Sequence, residues 1–143
     1  MGYSRGKKIL KEIFWALSNL TASAPHHVEK FAESHCLERV TDFVLNSSVP
    51  VDARNEGLWV LCNAITTAEV EVKLRMVERS PTLLGCLVYG CKSGQDMRLL
   101  KNILEAIYDV LELDNCIPEM RQTDRSMAYN WEKAGGLDAL EEI

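Results

Sequence analysis

Two segments of the 143-residue chain carry the same three residues at the same spacing, and this echo restricts the fold more than any other feature. They are Glu12-Ile13-Phe14-Trp15-Ala16-Leu17-Ser18-Asn19 and Glu56-Gly57-Leu58-Trp59-Val60-Leu61-Cys62-Asn63. Glu12 and Glu56, Trp15 and Trp59, and Asn19 and Asn63 each stand 44 residues apart. A period of this size marks stacked helical units, each burying its apolar face only against its neighbours. Within one unit Glu, Trp and Asn fall at i, i+3 and i+7, so they share one stripe of a helix. Stacking turns the two stripes into rungs of a ladder along a groove.

Helical periodicity fills the rest of the chain. Leu10, Phe14 and Leu17 predict a helix over 7–20, and Thr21-Ala22-Ser23 with Pro25 ends it and opens the next. Short helices are expected over 27–34 and 37–45, then a turn at Asn46-Ser47-Ser48-Val49-Pro50 with capping potential. A longer helix over 52–66 places Leu58, Leu61, Cys62 and Ile65 on its buried face. The cycle restarts with a short helix over 70–78, Ser80-Pro81 as cap and first helical residue, and a second short helix over 81–91. Gly94 breaks the chain before a long helix over 95–113, striped by Leu100, Ile103, Leu104, Ile107 and Leu111. The polar stretch 115–125 reads as an exposed loop, followed by helices over 126–133 and 137–143. Short, short, long occurs twice, which two-helix HEAT units do not give. The expected fold is all-α, a right-handed armadillo-repeat superhelix: an orphan third helix at 7–20, repeats at 25–67 and 69–113, and a partial repeat at 123–143.

Composition narrows the function classes. A net charge of −5 disfavours nucleic acid, whose phosphates call for a basic surface, and suits a basic ligand. No apolar run approaches the roughly 20 residues that span a bilayer; Leu83 to Val88 is short and contains Gly85 and Cys86. Cys36, Cys62, Cys86, Cys91 and Cys116 are odd in number, lack a CxxC pair, and read as reduced, core-filling thiols of a cytosolic or nuclear protein. His26, His27 and His35 read as loop or cap residues rather than metal ligands, because no ligand pair at a recognised spacing accompanies them. Gly85, Gly90 and Gly94 follow no phosphate-loop pattern, and no nucleophile has a base beside it. No catalytic residue, metal or cofactor is expected.

The segment from Lys11 to Ala22, with its Lys-Glu-x-x-Trp-x-x-Ser-Asn run, resembles the third helix of importin-α armadillo repeats, and Glu56 to Thr67 resembles the next repeat. Trp131 to Glu141, containing Gly135-Gly136-Leu137-Asp138, resembles that family's C-terminal unit. The resemblance covers essentially the whole chain and corresponds to the family's C-terminal third, the repeats of the minor cargo-binding groove. It implies a nuclear import adaptor, present in cytoplasm and nucleus, that binds basic nuclear localisation signals. Importin-β and an export receptor are the other partners it implies, the latter docking on the last repeats, where acidic residues crowd. The basic segment that binds importin-β and the repeats of the major cargo site have no counterpart here, and Lys7-Lys8 does not replace that segment. The chain is therefore expected to fall short of a complete adaptor.

The peptide-binding residues so implied are Glu12, Trp15, Ser18, Asn19, Glu56, Trp59 and Asn63. Asparagine carboxamides clamp the backbone of an extended peptide, because they both donate and accept. Indole faces carry the methylene stems of Lys or Arg, and the glutamates take the charged head. Cys62 departs from the serine at Ser18, which removes one polar contact. In the third long helix Asn102, Glu105 and Asp109 stand at the Glu, Trp and Asn positions, so the ladder stops there. The turn before each second helix usually holds glycine in the family; His35 and Ser80 occupy it here, and Gly135 keeps it. The alternative is an armadillo scaffold for a partner without a localisation signal, which the glutamates disfavour. Trp131 is expected in the packing of the last unit. With no helices before it, the first helix is expected to leave Leu10, Phe14 and Leu17 uncovered and to self-associate as a two-fold dimer or by swapping, readable by light scattering.

Overall fold

The computed structural model describes residues 2–92 and 96–143. The expected break at Gly94 and helix start at Gln95 lie outside the described residues. Within them all regular structure is helical: α1 (Gly2–Ser23), α2 (Pro25–Glu33), α3 (Cys36–Leu45), α4 (Val51–Thr67), α5 (Val70–Arg79), α6 (Leu83–Lys92), α7 (Met97–Cys116), a 3-10 turn (Pro118–Met120), α8 (Met127–Lys133) and α9 (Gly136–Glu141). The long helices stack in one layer, α1 on α4 and α4 on α7. A second layer runs α3, α6, α9, and α2 lies against α5. One continuous core joins them, from Phe14 and Phe31 through Leu58, Leu61 and Ile103 to Met127 and Trp131.

Each layer is tied by bonds between neighbouring units. In the long-helix layer, Thr21 Oγ1 reaches the Val60 carbonyl at 3.4 Å and Asn63 Nδ2 donates to the Ser18 carbonyl at 3.0 Å. In the layer of second helices, the Cys86 thiol donates to the Thr41 carbonyl at 3.5 Å. Among first helices, Arg75 pairs with Glu29 and Glu33, and Arg79 donates to the Ala32 carbonyl while meeting Glu38 at 3.1 Å. Arg125 in turn meets Glu78 at 2.8 Å. These exposed ion pairs are each worth at most ~1 kcal/mol; burial of the apolar faces holds the stack. Arg54 adds a link within the repeat and across to the next, donating to the Val44 carbonyl at 2.6 Å with its guanidinium 3.9 Å from the Tyr89 ring centre.

The structure revises several sequence expectations. The first helix begins at Gly2 rather than residue 7 and runs across Gly6, which is unfavourable in a helix but, unlike proline, does not remove a backbone donor. Ser80 does not cap α6: it is the buried residue that ends α5, and α6 begins only at Leu83. Asn46 closes a local turn instead of capping α4, its Oδ1 accepting from the Ser48 amide at 3.0 Å. The stretch 115–125 is not simply an exposed loop, since Met120 is fully buried beneath its 3-10 turn. His35 and Ser80 both have negative φ, so neither turn needs glycine. Gly135 has φ of +89°, in the region that favours it.

Asp114, near the end of α7, organises the last unit. Its carboxylate accepts from the Met127 amide (2.7 Å), the Ala128 amide (3.1 Å) and the Ser126 hydroxyl (2.8 Å), capping α8 from outside that helix. Partial burial pushes its carboxyl up, but these bonds together with Arg121 outweigh burial and hold it below its ordinary value. A carboxyl lowered on folding stabilises above its unfolded value and loses that contribution as pH falls through the folded one. Asp114→Asn is expected to cost about 1 kcal/mol at neutral pH, in the range of a lost helix cap. Urea midpoints should show the gap between variant and parent closing below about pH 4, near the unfolded aspartate value; a gap constant from pH 7 to 3 would refute it.

Candidate functional site

The two rungs lie side by side on the face of the α1–α4 layer. Glu12, Trp15 and Asn19 are all exposed, Trp15 at 65%. Nothing in the packing requires that indole there, and among the described residues the Asn19 carboxamide has no hydrogen-bond partner. The second rung is more sheltered: Glu56, Trp59 and Asn63 are half-buried, and Trp59 rests one side on the core. The difference follows from position, since α4 has a helix on either side and α1 only on one.

Asn63 does two jobs. Its amide ties α4 to the Ser18 carbonyl, leaving the second amide hydrogen and the carboxamide oxygen for a ligand. Ser18 contributes less than expected, because its hydroxyl donates to the Trp15 carbonyl at 2.8 Å within its own helix. The equivalent Cys62 is fully buried and reaches no groove at all.

In α7 the 46-residue register holds together in three dimensions: Ala53, Gly57, Val60 and Ala64 of α4 and their counterparts Leu99, Ile103, Ala106 and Val110 are all buried. Asn102 and Asp109 are accordingly half-buried and Glu105 is exposed. Asp109 is occupied by Lys73 of α5, with Nζ and Oδ2 3.2 Å apart and both largely shielded from solvent. An open depression of about 490 Å³ runs beside it, lined by Thr66, Met97, Leu100, Leu104, Glu105 and Tyr108 among others.

No protein-family model and no curated protein matches the chain. Among solved structures it is similar to a designed armadillo repeat protein in complex with the peptide (KR)4, over 95% of this chain and 68% of that one, with 18% sequence identity and a TM-score of 0.61. The fold is that of an armadillo solenoid.

The solenoid distributes its other reactive groups away from the rungs. Cys62, Cys86 and Cys91 are buried, and burial pushes each thiol up, Cys86 to about 12 with a further push from Asp42 opposed by Arg54. Cys36 and Cys116 depart from the core-filling expectation: they sit exposed at the start of α3 and the end of α7. Among the described residues no group of three His, Cys, Asp or Glu side chains is placed to hold a metal, and no helix is long and apolar enough to cross a membrane. His27 takes part in a 2.8 Å hydrogen bond with Ser23 at the end of α1. Trp131 is in the packing of the last unit, 2% exposed, against Gly136.

The uncovered side of the solenoid also differs from expectation. Phe14 is buried, packed edge-on against Phe43 with ring centres 4.8 Å apart, and Leu10 and Leu17 are half-buried. Among the described side chains, the large apolar residues that α1 leaves open are Ile9, Ile13, Trp15 and Leu20. Phe43 of α3 covers Phe14, while Leu10 and Leu17 line an open groove between α1 and α3.

Proposed function

We propose that this solenoid is a peptide-binding module of importin-α type, gripping an extended basic segment such as a nuclear localisation signal across the rungs Glu12/Trp15/Asn19 and Glu56/Trp59/Asn63. The observation that carries the reading is Trp15: a large indole held in solvent, in line with an exposed glutamate and an unpartnered carboxamide. Such a stripe offers a cation a carboxylate, an aromatic face and a backbone clamp together. That the designed armadillo protein was solved with (KR)4 supports a basic peptide as the ligand class. The reading extends to a role in transport between cytoplasm and nucleus, in which importin-β and an export receptor would act on a longer adaptor. An armadillo scaffold for an acidic partner would instead need Lys or Arg where Glu12 and Glu56 stand.

The test is titration of the chain with a (KR)4 peptide at low salt, followed by calorimetry and tryptophan fluorescence. Saturable binding of modest strength is expected, because two rungs provide little multivalency. Trp15→Ala combined with Glu12→Lys should weaken it at least tenfold, the sum of a cation–π contact and one charge-assisted bond at about 1.5–3 kcal/mol. Both positions are exposed, so the fold should be untouched. Equal binding of an acidic peptide, or indifference to the double substitution, would overturn the proposal.

A further inference from the structure

The long-helix layer ends in two uncovered faces that are the two halves of one interface. On α1, Ile9, Ile13, Ala16 and Leu20 are all exposed, Ile9 at 50% and Ile13 at 48%. Their counterparts 44 residues on, Ala53, Gly57, Val60 and Ala64, are all buried in α4, and the Val60 carbonyl takes the hydrogen bond from Thr21 of α1. The counterparts in α7, Leu99, Ile103, Ala106 and Val110, are buried too. This is the face with which a long helix sits on what precedes it: Val60 on α1, and Gly57 on Val40 and Val44 of α3 in its own repeat.

The opposite face shows the converse. On α7, Leu104 and Tyr108 are exposed, Tyr108 at 64%. The residues 46 earlier than Leu104 and Tyr108 are Leu58 and Cys62, both fully buried; Phe14, at the same position in α1, is 5% exposed. This is the face on which the following long helix sits. One polar contact completes the match. Asn63 of α4 donates to the carbonyl of Ser18 in α1. Its counterpart Asn19 is without a partner among the described residues, and the carbonyl equivalent to that of Ser18 belongs to Tyr108.

We propose that α1 of one copy stacks on α7 of another, head to tail, repeating the α1–α4 and α4–α7 contacts and placing Asn19 against the partner's Tyr108 carbonyl. The occupant is a second copy because the chain already contains both halves, and each half is seen joined twice inside it. Such a contact uses two different patches, so it does not close on itself as a two-fold dimer does. It leaves each pair with one free head and one free tail, and the rungs of successive copies in line.

Light scattering of the full chain across rising concentration tests this. The average mass should climb past that of a dimer without a plateau. Ile13→Glu blocks the head and Tyr108→Glu the tail; both residues are exposed, and unchanged helicity and melting would confirm intact folds. Each variant alone should be monomeric, while an equimolar mixture should form a one-to-one pair and nothing larger. Asn19→Ala should weaken that pairing several-fold. A two-fold dimer through α1 would be abolished by Ile13→Glu and untouched by Tyr108→Glu, which would overturn the proposal. So would a parent chain that stays monomeric at hundreds of micromolar, or a mixture that fails to pair.

Discussion

Replacing Gly136 by alanine is expected to undo the last unit of the stack, at a cost of about 3 kcal/mol, the upper range for overpacking a rigid site. Gly136 opens α9 and is buried, and a methyl group there would fall within the indole of Trp131. The ring has little room to retreat, being 2% exposed and part of the core that α8 and α9 share with α7. Gly135→Ala separates space from backbone strain, since a methyl group at Gly135 meets nothing within 4 Å but the residue keeps φ of +89°. It should cost about 1–2 kcal/mol from the left-handed backbone alone. Urea unfolding checks the order, and a red shift of Trp131 emission in Gly136→Ala would locate the damage. Equal midpoints for Gly136→Ala and the parent would contradict it.

Leu58→Ala is expected to be the most damaging truncation, at about 2–5 kcal/mol. Leu58 is fully buried where α4, α6 and α7 converge: a methyl group on Gly90 would lie 3.4 Å from its Cδ1 and 2.8 Å from Ile103 Cδ1. The helices meet there through a glycine, so the backbone is already close and cannot collapse further into the space left. A domain of this size has roughly 5–15 kcal/mol in all, so the variant should unfold near body temperature. Leu104→Ala gives the contrast. Leu104 stands 46 residues later at the equivalent position but is 38% exposed, and its loss should cost under about 1 kcal/mol. Similar melting points for the two variants would contradict the assignment of α7 as the uncovered end of the layer.

How much of this was legible in the sequence differs from element to element. The pairing of Trp15 with Trp59 was readable because both rungs combine three unusual residues at one period, and the structure places them on adjacent helices. The short-short-long order was readable from apolar phase together with Pro25 and Pro50. What sequence could not show was which stripes are covered by something distant. Phe14 looks uncovered when only its own helix is considered, and Phe43, 29 residues away, covers it. Met120 and Ile117 are isolated apolar residues in a polar stretch, too few to set a period that would betray Met120 as an anchor. Asp114 capping a helix that starts thirteen residues later has no local motif either. Ser18 and Asn63 matched the pattern, but whether a polar group faces a ligand or a neighbouring helix depends on geometry that spacing does not contain. The counterpart positions around Ile9 and Tyr108 were the signal most open to reading, since a register of 44 and then 46 residues already marks them.

The bonds between units have one further property: their reach along the chain. From Thr21–Val60 at 39 residues to Arg79–Ala32 and Arg125–Glu78 at 47, each joins a unit to the next. A chain leaving the ribosome therefore never waits for a distant segment before it can settle. Once about one more unit has emerged, the preceding one has these partners, and the solenoid can be laid down in the order in which it is made.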